Sequence, residues 1–125
     1  IRDAQESRGL GDVYKRQLVE RVENSQMWKY YSIADVVVNL NDHEIFGMSI
    51  LEAMYYGKHV VAVSAPGPDY IIQNKAQGTL CESEEDVAQA VYKPGKEFDS
   101  EAAHERVENN FLWNVTARTI MQQLT

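Results

Sequence analysis

Residues 34–63 have the sequence ADVVVNLNDHEIFGMSILEAMYYGKHVVAV, and its pattern of apolar positions predicts a strand, a helix and a second strand. Val36 to Leu40 is apolar, rich in β-branched residues and nearly continuous, which is typical of a strand covered on both faces in a parallel sheet. Val60 to Val63 repeats that pattern. Between the two runs, apolar residues recur at helical spacing from Gly47 onward, and Gly57 favours a left-handed helix end.

Further elements are predicted on both sides of this unit. They are a short strand at Leu18 to Val22, a helix from an N-cap at Asn24 or Ser25 to Ile33, a turn at Pro66 to Pro68, at best a short helix at Asp69 to Gln73, a strand at Thr79 to Cys81, a helix capped by Ser83, and two helices at Ser100 to Asn109 and Trp113 to Leu124. This alternation predicts an α/β fold built on part of a parallel sheet with right-handed crossovers. Ligands of such sheets bind outside the carboxyl ends of the strands, so we expect a site at the loops Asn41 to Phe46 and Ser64 to Asp69.

Composition excludes several classes of function. The 125 residues suit one domain, and the formal net charge of -7 argues against a surface that tracks nucleic-acid phosphates or anchors to a membrane through basic residues. The apolar runs are far shorter than the roughly 20 residues needed to span a bilayer. Cys81 is the single cysteine, so the chain has no internal disulfide, which fits a reducing cytoplasm.

The first seventeen residues show neither helical nor strand periodicity and contain two glycines and four basic residues. Ser7 to Gln17, SRGLGDVYKRQ, can be back-translated codon by codon into a common transposon adapter used for sequencing libraries. A native flexible terminus is the alternative. We therefore expect residues 1–17 to be derived from the adapter, residues 18–125 to be native, and the natural protein to be longer.

Two glutamates, Glu44 and Glu52, stand eight positions apart across the loop that enters the first predicted helix. The unpaired amides of a helix N-terminus can hold a diphosphate, and Gly47 leaves the backbone there without a Cβ. A carboxylate at Glu52 can accept hydrogen bonds from the cis-diol of a ribose, while Glu44 can reach groups beyond the phosphates. The plainer alternatives are a solvated helix position for Glu52 and a charge interacting with the helix dipole for Glu44.

An ordered series of motifs around these glutamates resembles retaining glycosyltransferase family four, whose signature is E-x7-E and whose fold is the two-domain GT-B fold. The resemblance extends over nearly all of residues 19–125. The residues that carry it are Tyr30 to Asp35, Glu44, Glu52 to Met54, Gly57 to Ala62, Pro66 to Pro68, Ile71, Ile72, Gly78 and Phe111 to Trp113. The chain departs from the family at Ile45, where many members have glycine, and at Tyr70, where many have an acidic residue.

The resemblance implies a role for each residue of the motif. Glu44 would contact the donor sugar as the catalytic candidate, the amides around Phe46, Gly47 and Met48 would face the sugar and diphosphate, and Glu52 would bind the ribose hydroxyls. The nucleotide diphosphate-sugar is then a substrate, and neither a cofactor nor a metal is expected.

The resemblance also implies the place of this chain in a larger enzyme. It would be the C-terminal half of the Rossmann-like donor domain, without the upstream Arg and Lys pair and the N-terminal acceptor domain, and would therefore be inactive alone. The parent would transfer a sugar with retention to a glycan or lipid-linked acceptor in bacterial polysaccharide synthesis, in the cytoplasm or peripherally at the inner membrane face. A non-catalytic nucleotide-sugar-binding paralogue and a sugar-nucleotide epimerase of the same architecture are the alternatives.

Overall fold

The computed structural model describes residues 2–3, 17–19, 22–93 and 95–112, and the chain divides into two compact units, residues 1–30 and 31–125. In the first unit, β1 (Arg2–Asp3) pairs in antiparallel fashion with β2 (Gln17–Leu18). The strand predicted at residues 18–22 is therefore shorter, with residues 20 and 21 outside the description. A 3₁₀ turn at Asn24–Gln26 leads into α1 (Met27–Ile33), which ends where the sequence predicts.

The second unit contains a three-stranded parallel sheet in the order β3-β4-β5. The strands are β3 (Val36–Asn39), β4 (His59–Val63) and β5 (Thr79–Cys81). The helices that follow them are α2 (Met48–Tyr55), α3 (Pro66–Ile71), α4 (Glu84–Tyr92) and α5 (Ser100–Asn110). Each parallel strand is reached through a helical crossover, so the predicted α/β class with a parallel sheet is confirmed.

The core lies around the central strand β4, whose five residues are all buried. Val61 and Val63 pack with Cys81 and with Val87 of α4 on one face of the sheet. Neighbouring residues in a strand point to opposite faces, so the alternate residues of β4 face the other side. Since α2 also packs against β3 and β4, the two helices bury the strand between them.

Helix α2 ends at a Schellman motif. The Gly57 amide donates to the Met54 carbonyl at 2.9 Å, and the Lys58 amide donates to the Ala53 carbonyl at 3.0 Å. Gly57 has a φ of 72°, so the left-handed helix end predicted from sequence is confirmed. Because the motif turns the chain sharply, β4 begins two residues later.

Two predictions about local structure are wrong. Pro66 to Pro68 form the first turn of α3 rather than a separate turn, because the first residues of a helix donate no hydrogen bond within it and proline is therefore well tolerated there. Strand β3 is only partly buried, with Val38 43% exposed, because it is an edge of the sheet in the described part of the chain. The helix predicted at Trp113 to Leu124 lies outside the described residues. None of the described helices combines the length and apolar character needed to cross a membrane.

Candidate functional site

The two loops expected to form a site lie directly against each other; we call residues 41–46 and 64–69 the rim loops. The Gly67 amide donates to the Glu44 carbonyl at 2.9 Å. A Cβ at Gly67 would lie 2.8 Å from the carbonyl carbon and oxygen of Phe46. The first turn of α3 therefore packs backbone to backbone on the loop that leads into α2.

Glu44 is half-buried in the first rim loop, and Asn41 orients its carboxylate. The Asn41 Nδ2 donates to Glu44 Oε2 at 2.6 Å, while Asn41 Oδ1 accepts from the His43 amide at 3.0 Å. Both the Nδ2 and the Oδ1 of Asn41 therefore form hydrogen bonds within the loop. This arrangement fixes one carboxylate oxygen of Glu44, on a loop whose backbone is itself held by Gly67.

Helix α2 begins at Gly47, which has a φ of 89° and provides no side-chain cap. The amides of Ile50 and Leu51 donate to the Gly47 carbonyl at 3.0 and 3.1 Å. Among the described residues, no hydrogen bond occupies the amides of Met48 and Ser49. These two amides are the donors that the helix start leaves for a ligand.

Gly47 itself is buried, and the packing around it accounts for the missing Cβ, while its role as an approach point for a phosphate stays a prediction. A Cβ there would lie 3.3 Å from the Cδ1 atoms of both Ile50 and Ile71, so that side of the glycine faces packed protein. The positive φ and this packing are sufficient to require glycine. The neighbouring side chains of Phe46 and Met48 are each 58% exposed, so the turn has solvent on its flanks.

Glu52 is half-buried at the fifth residue of α2, about 6 Å along the helix axis from Met48. The Tyr31 hydroxyl donates to Glu52 Oε2 at 3.1 Å. Burial, followed by the nearby Glu52 carboxylate, raises the pKa of Tyr31 to about 12, so the phenol stays protonated and remains a donor at neutral pH. Glu44 and Glu52 thus have separate partners, Asn41 and Tyr31.

Helix α3 is held at both ends. The Ser64 hydroxyl lies 2.8 and 2.9 Å from the two carboxylate oxygens of Asp69 in the first turn. Arg106 of α5 donates to the carbonyls of Tyr70 and Ile71 at 3.0 Å each. Tyr70, the departure from the family pattern, is 68% exposed with the Arg106 guanidinium 5.9 Å from its ring centre.

Three cavities of about 480, 450 and 260 Å³ in the described part of the chain are lined by residues of other regions, and neither Glu44 nor Glu52 borders them. No group of three or more His, Cys, Asp or Glu side chains within residues 2–3, 17–19, 22–93 and 95–112 is placed to hold a metal. The groups at the rim loops and the start of α2 that could contact a ligand include the amides of Met48 and Ser49 and the carboxylates of Glu44 and Glu52.

The supporting residues of this site were not assigned a role from sequence. Tyr31 is buried, as an aromatic residue at helical spacing predicts, and its hydroxyl also donates to Glu52. Asn41 and Gly67 lie in the loops where the sequence predicts a site, but it predicts no individual role for either, and Arg106 lies outside those loops. A polar residue directly after a strand was the available signal for Asn41, whereas Arg106 is 35 residues from its partner Ile71.

Residues 6–110 match the family described as Glycosyl transferases group 1. The match starts inside the segment 1–17 that we interpret as adapter-derived, and the origin of that segment stays a prediction. A probable sucrose-phosphate synthase of Thermosipho melanesiensis is 25% identical in an alignment that covers 84% of this chain and 29% of that protein.

Solved structures support the fold. Sucrose-phosphate synthase from Thermosynechococcus elongatus has a TM-score of 0.71 at 24% identity, covering 85% of this chain and 28% of that one. A glycosyltransferase from Rickettsia africae ESF-5 has a TM-score of 0.64 at 24% identity. The likeness covers 80% of this chain and 29% of that one. The C-terminal domain of the group 1 glycosyltransferase LpcC from Francisella tularensis has a TM-score of 0.61 at 19% identity. The likeness covers 77% of this chain and 53% of that one.

The chain spans less than a third of the length of both sucrose-phosphate synthases that it resembles. The parallel sheet and these likenesses confirm the expected Rossmann-like α/β fold of GT-B glycosyltransferases. Since the family match covers most of the residues, the chain belongs to the group 1 glycosyltransferase family.

Proposed function

We propose that the rim loops and the start of α2 bind a nucleotide diphosphate-sugar, and that the whole protein transfers the sugar with retention of its anomeric configuration. The observation that supports this most is the uncapped start of α2 at Gly47, flanked by two half-buried glutamates. An uncapped helix start offers N–H donors and a positive dipole end to a phosphate. In a chain of net charge -7, a diphosphate needs such a local set of donors.

The proposed roles follow the order of the donor molecule. Glu44 contacts the sugar, the amides around Phe46, Gly47 and Met48 face the sugar and diphosphate, and Glu52 accepts hydrogen bonds from the ribose hydroxyls. The leaving group is a nucleoside diphosphate, so its stabilisation comes from donors aimed at the phosphates. Glu44 and Glu52 are therefore not proposed as the acid and nucleophile of a glycosidase.

The activity of the whole protein is proposed from the family. We propose that it uses a glycan or lipid-linked acceptor bound by another domain, that it needs no metal, and that it acts in the cytoplasm or peripherally at the inner membrane face. We propose that these 125 residues alone bind the donor weakly and do not transfer sugar. Release of nucleoside diphosphate from a donor and acceptor mixture by this chain alone would contradict that last statement.

Calorimetry with a panel of uridine, guanosine and adenosine diphosphate-sugars tests donor binding. We expect one base to be preferred and Glu52→Ala to weaken that complex about 10- to 100-fold, because hydrogen bonds to a carboxylate are charge-assisted. Glu85→Ala, an exposed carboxylate in the first turn of α4, is the matched control and should bind like the unmodified chain. Absence of binding to every donor, or equal affinities with and without Glu52, would reject the proposed site.

A further inference from the structure

We infer that Tyr31 is a positioning residue for the nucleoside end of the donor: its hydroxyl fixes one oxygen of the Glu52 carboxylate so that the other oxygen faces the ribose. This inference rests on the proposed function. It extends that function by naming what makes Glu52 discriminate a ribose from a deoxyribose.

The contact joins two helices that are distant in sequence. Tyr31 lies near the end of α1, Glu52 lies in the middle of α2, and the hydroxyl and Oε2 are 3.1 Å apart. Tyr31 is only 5% exposed, so its ring has one available position. A glutamate on a helix surface otherwise has several rotamers, and a ligand that needs one of them must order the side chain when it binds. The buried phenol performs that ordering in advance.

The chemistry of the pair leaves one oxygen for a ligand. A phenol has a single proton to donate, and the raised pKa of Tyr31 keeps that proton in place at neutral pH. The proton goes to Oε2, while no hydrogen bond among the described residues engages Oε1. Glu52 is half-buried, so a sugar hydroxyl can reach the second oxygen from solvent.

The ring of Tyr31 is itself held by α2. It stacks on Tyr56, which directly follows α2, with ring centres 5.9 Å apart and planes 22° from parallel. Glu52 and the ring that orients it are therefore fixed to the same helix. Tyr56 also provides the matched control, because Tyr56→Phe removes a hydroxyl and keeps the stack.

The test uses calorimetry to compare the nucleoside diphosphate whose base the unmodified chain prefers with its 2′-deoxy and 3′-deoxy forms. We expect the unmodified chain to bind the ribose form about tenfold more tightly than the deoxy forms. Tyr31→Phe should weaken binding of the ribose form about 3- to 10-fold and change the deoxy affinities less than about twofold, so that the preference largely disappears. Tyr56→Phe should keep the preference.

The possible outcomes distinguish a failure of this inference from a failure of the proposed function. A chain that binds no nucleotide contradicts both. A chain with a ribose preference that Tyr31→Phe leaves intact, or a variant that loses ribose and deoxyribose affinity equally, overturns the inference and leaves the proposed function standing. If Tyr31→Phe does not fold, Tyr31→4-fluorophenylalanine fills the same space without a proton to donate. This variant should lose the preference for the ribose form over the deoxy forms. If it keeps that preference, the inference is overturned.

Discussion

Gly67 is the residue at which the two rim loops come closest. A side chain there would contact main-chain atoms of Ile45 and Phe46 at 2.8 to 2.9 Å, and neither loop can move away by changing a rotamer. We expect Gly67→Ala to lower the free energy of unfolding by about 1–3 kcal/mol, as overpacking of a well-packed region typically does. Urea unfolding followed by circular dichroism measures the change.

Gly95→Ala is the matched control for this substitution. A Cβ at Gly95 meets nothing within 4 Å, so the same change of residue type should leave the free energy of unfolding within about 0.5 kcal/mol. Equal effects at Gly67 and Gly95 would show that the rim loops are not packed as described. Because the Gly67 amide also donates to the Glu44 carbonyl, Gly67→Ala should weaken donor binding as well.

Single residues also show how far the sequence could predict the site. The spacing of Glu44 and Glu52 belongs to a motif, and the structure places Glu44 in the loop before α2 and Glu52 in the middle of that helix. Tyr31 was not selected because an aromatic residue at helical spacing predicts burial alone. Its bond to Glu52 spans 21 residues and depends on how α1 and α2 pack, which no local pattern contains.

At the scale of elements, the contact between α2 and α5 contains a pH-dependent pair of bonds. His104 of α5 bonds through Nδ1 to the Tyr55 carbonyl at the end of α2, and its Nε2 lies 2.8 Å from the Glu108 carboxylate. The bond to Tyr55, and secondarily the carboxylates of Glu108 and Glu105, raise the pKa of His104 above its usual 6.5. A protonated His104 satisfies both partners at once.

The sign of the effect follows from that raised pKa. Stability contributed by His104 is fully present below the unfolded pKa of about 6.5 and is lost as the pH rises through the higher folded pKa. We therefore expect His104→Gln to destabilise the chain more at about pH 6 than at about pH 9, by urea unfolding. His59, whose pKa burial lowers, acts in the opposite direction but is present in both proteins and cancels.

The control for His104 is His43→Gln, which changes an exposed histidine in the first rim loop. Its effect on stability should be small at both pH values. If the two variants show the same pH dependence, or if His104→Gln is equally destabilising at both values, then the bonds to Tyr55 and Glu108 do not depend on protonation of His104.

The helices and strands also show which sequence patterns are sufficient to predict an element. Strand β4 and the cap of α4 were predicted correctly, because continuous β-branched residues and a Ser83 side chain that accepts from the Asp86 amide are local signals. The start of α3 is Pro66 and not Asp69 as predicted, since proline suits both a turn and a helix start. The burial of β3 was overestimated because composition does not say which strand lies at the edge of a sheet.

At the scale of the whole molecule, the described core lies in one part of the chain. The buried residues extend from Tyr31 to Val107, all inside the second unit. The described strands of the first unit, β1 and β2, have two residues each. A pair of strands that short is marginal in water without a packed face. Loss of the first seventeen residues therefore removes none of the described buried side chains.

We accordingly expect deletion of residues 1–17 to leave the free energy of unfolding within about 0.5 kcal/mol and donor affinity unchanged. A deletion of residues 1–31 is the contrasting case, because it removes the buried ring of Tyr31 and its bond to Glu52, and should lower both quantities. Urea unfolding and calorimetry of the two deletions measure these effects side by side. If the shorter deletion were as damaging as the longer one, residues 1–17 would be part of the fold, and their interpretation as adapter-derived sequence would fail.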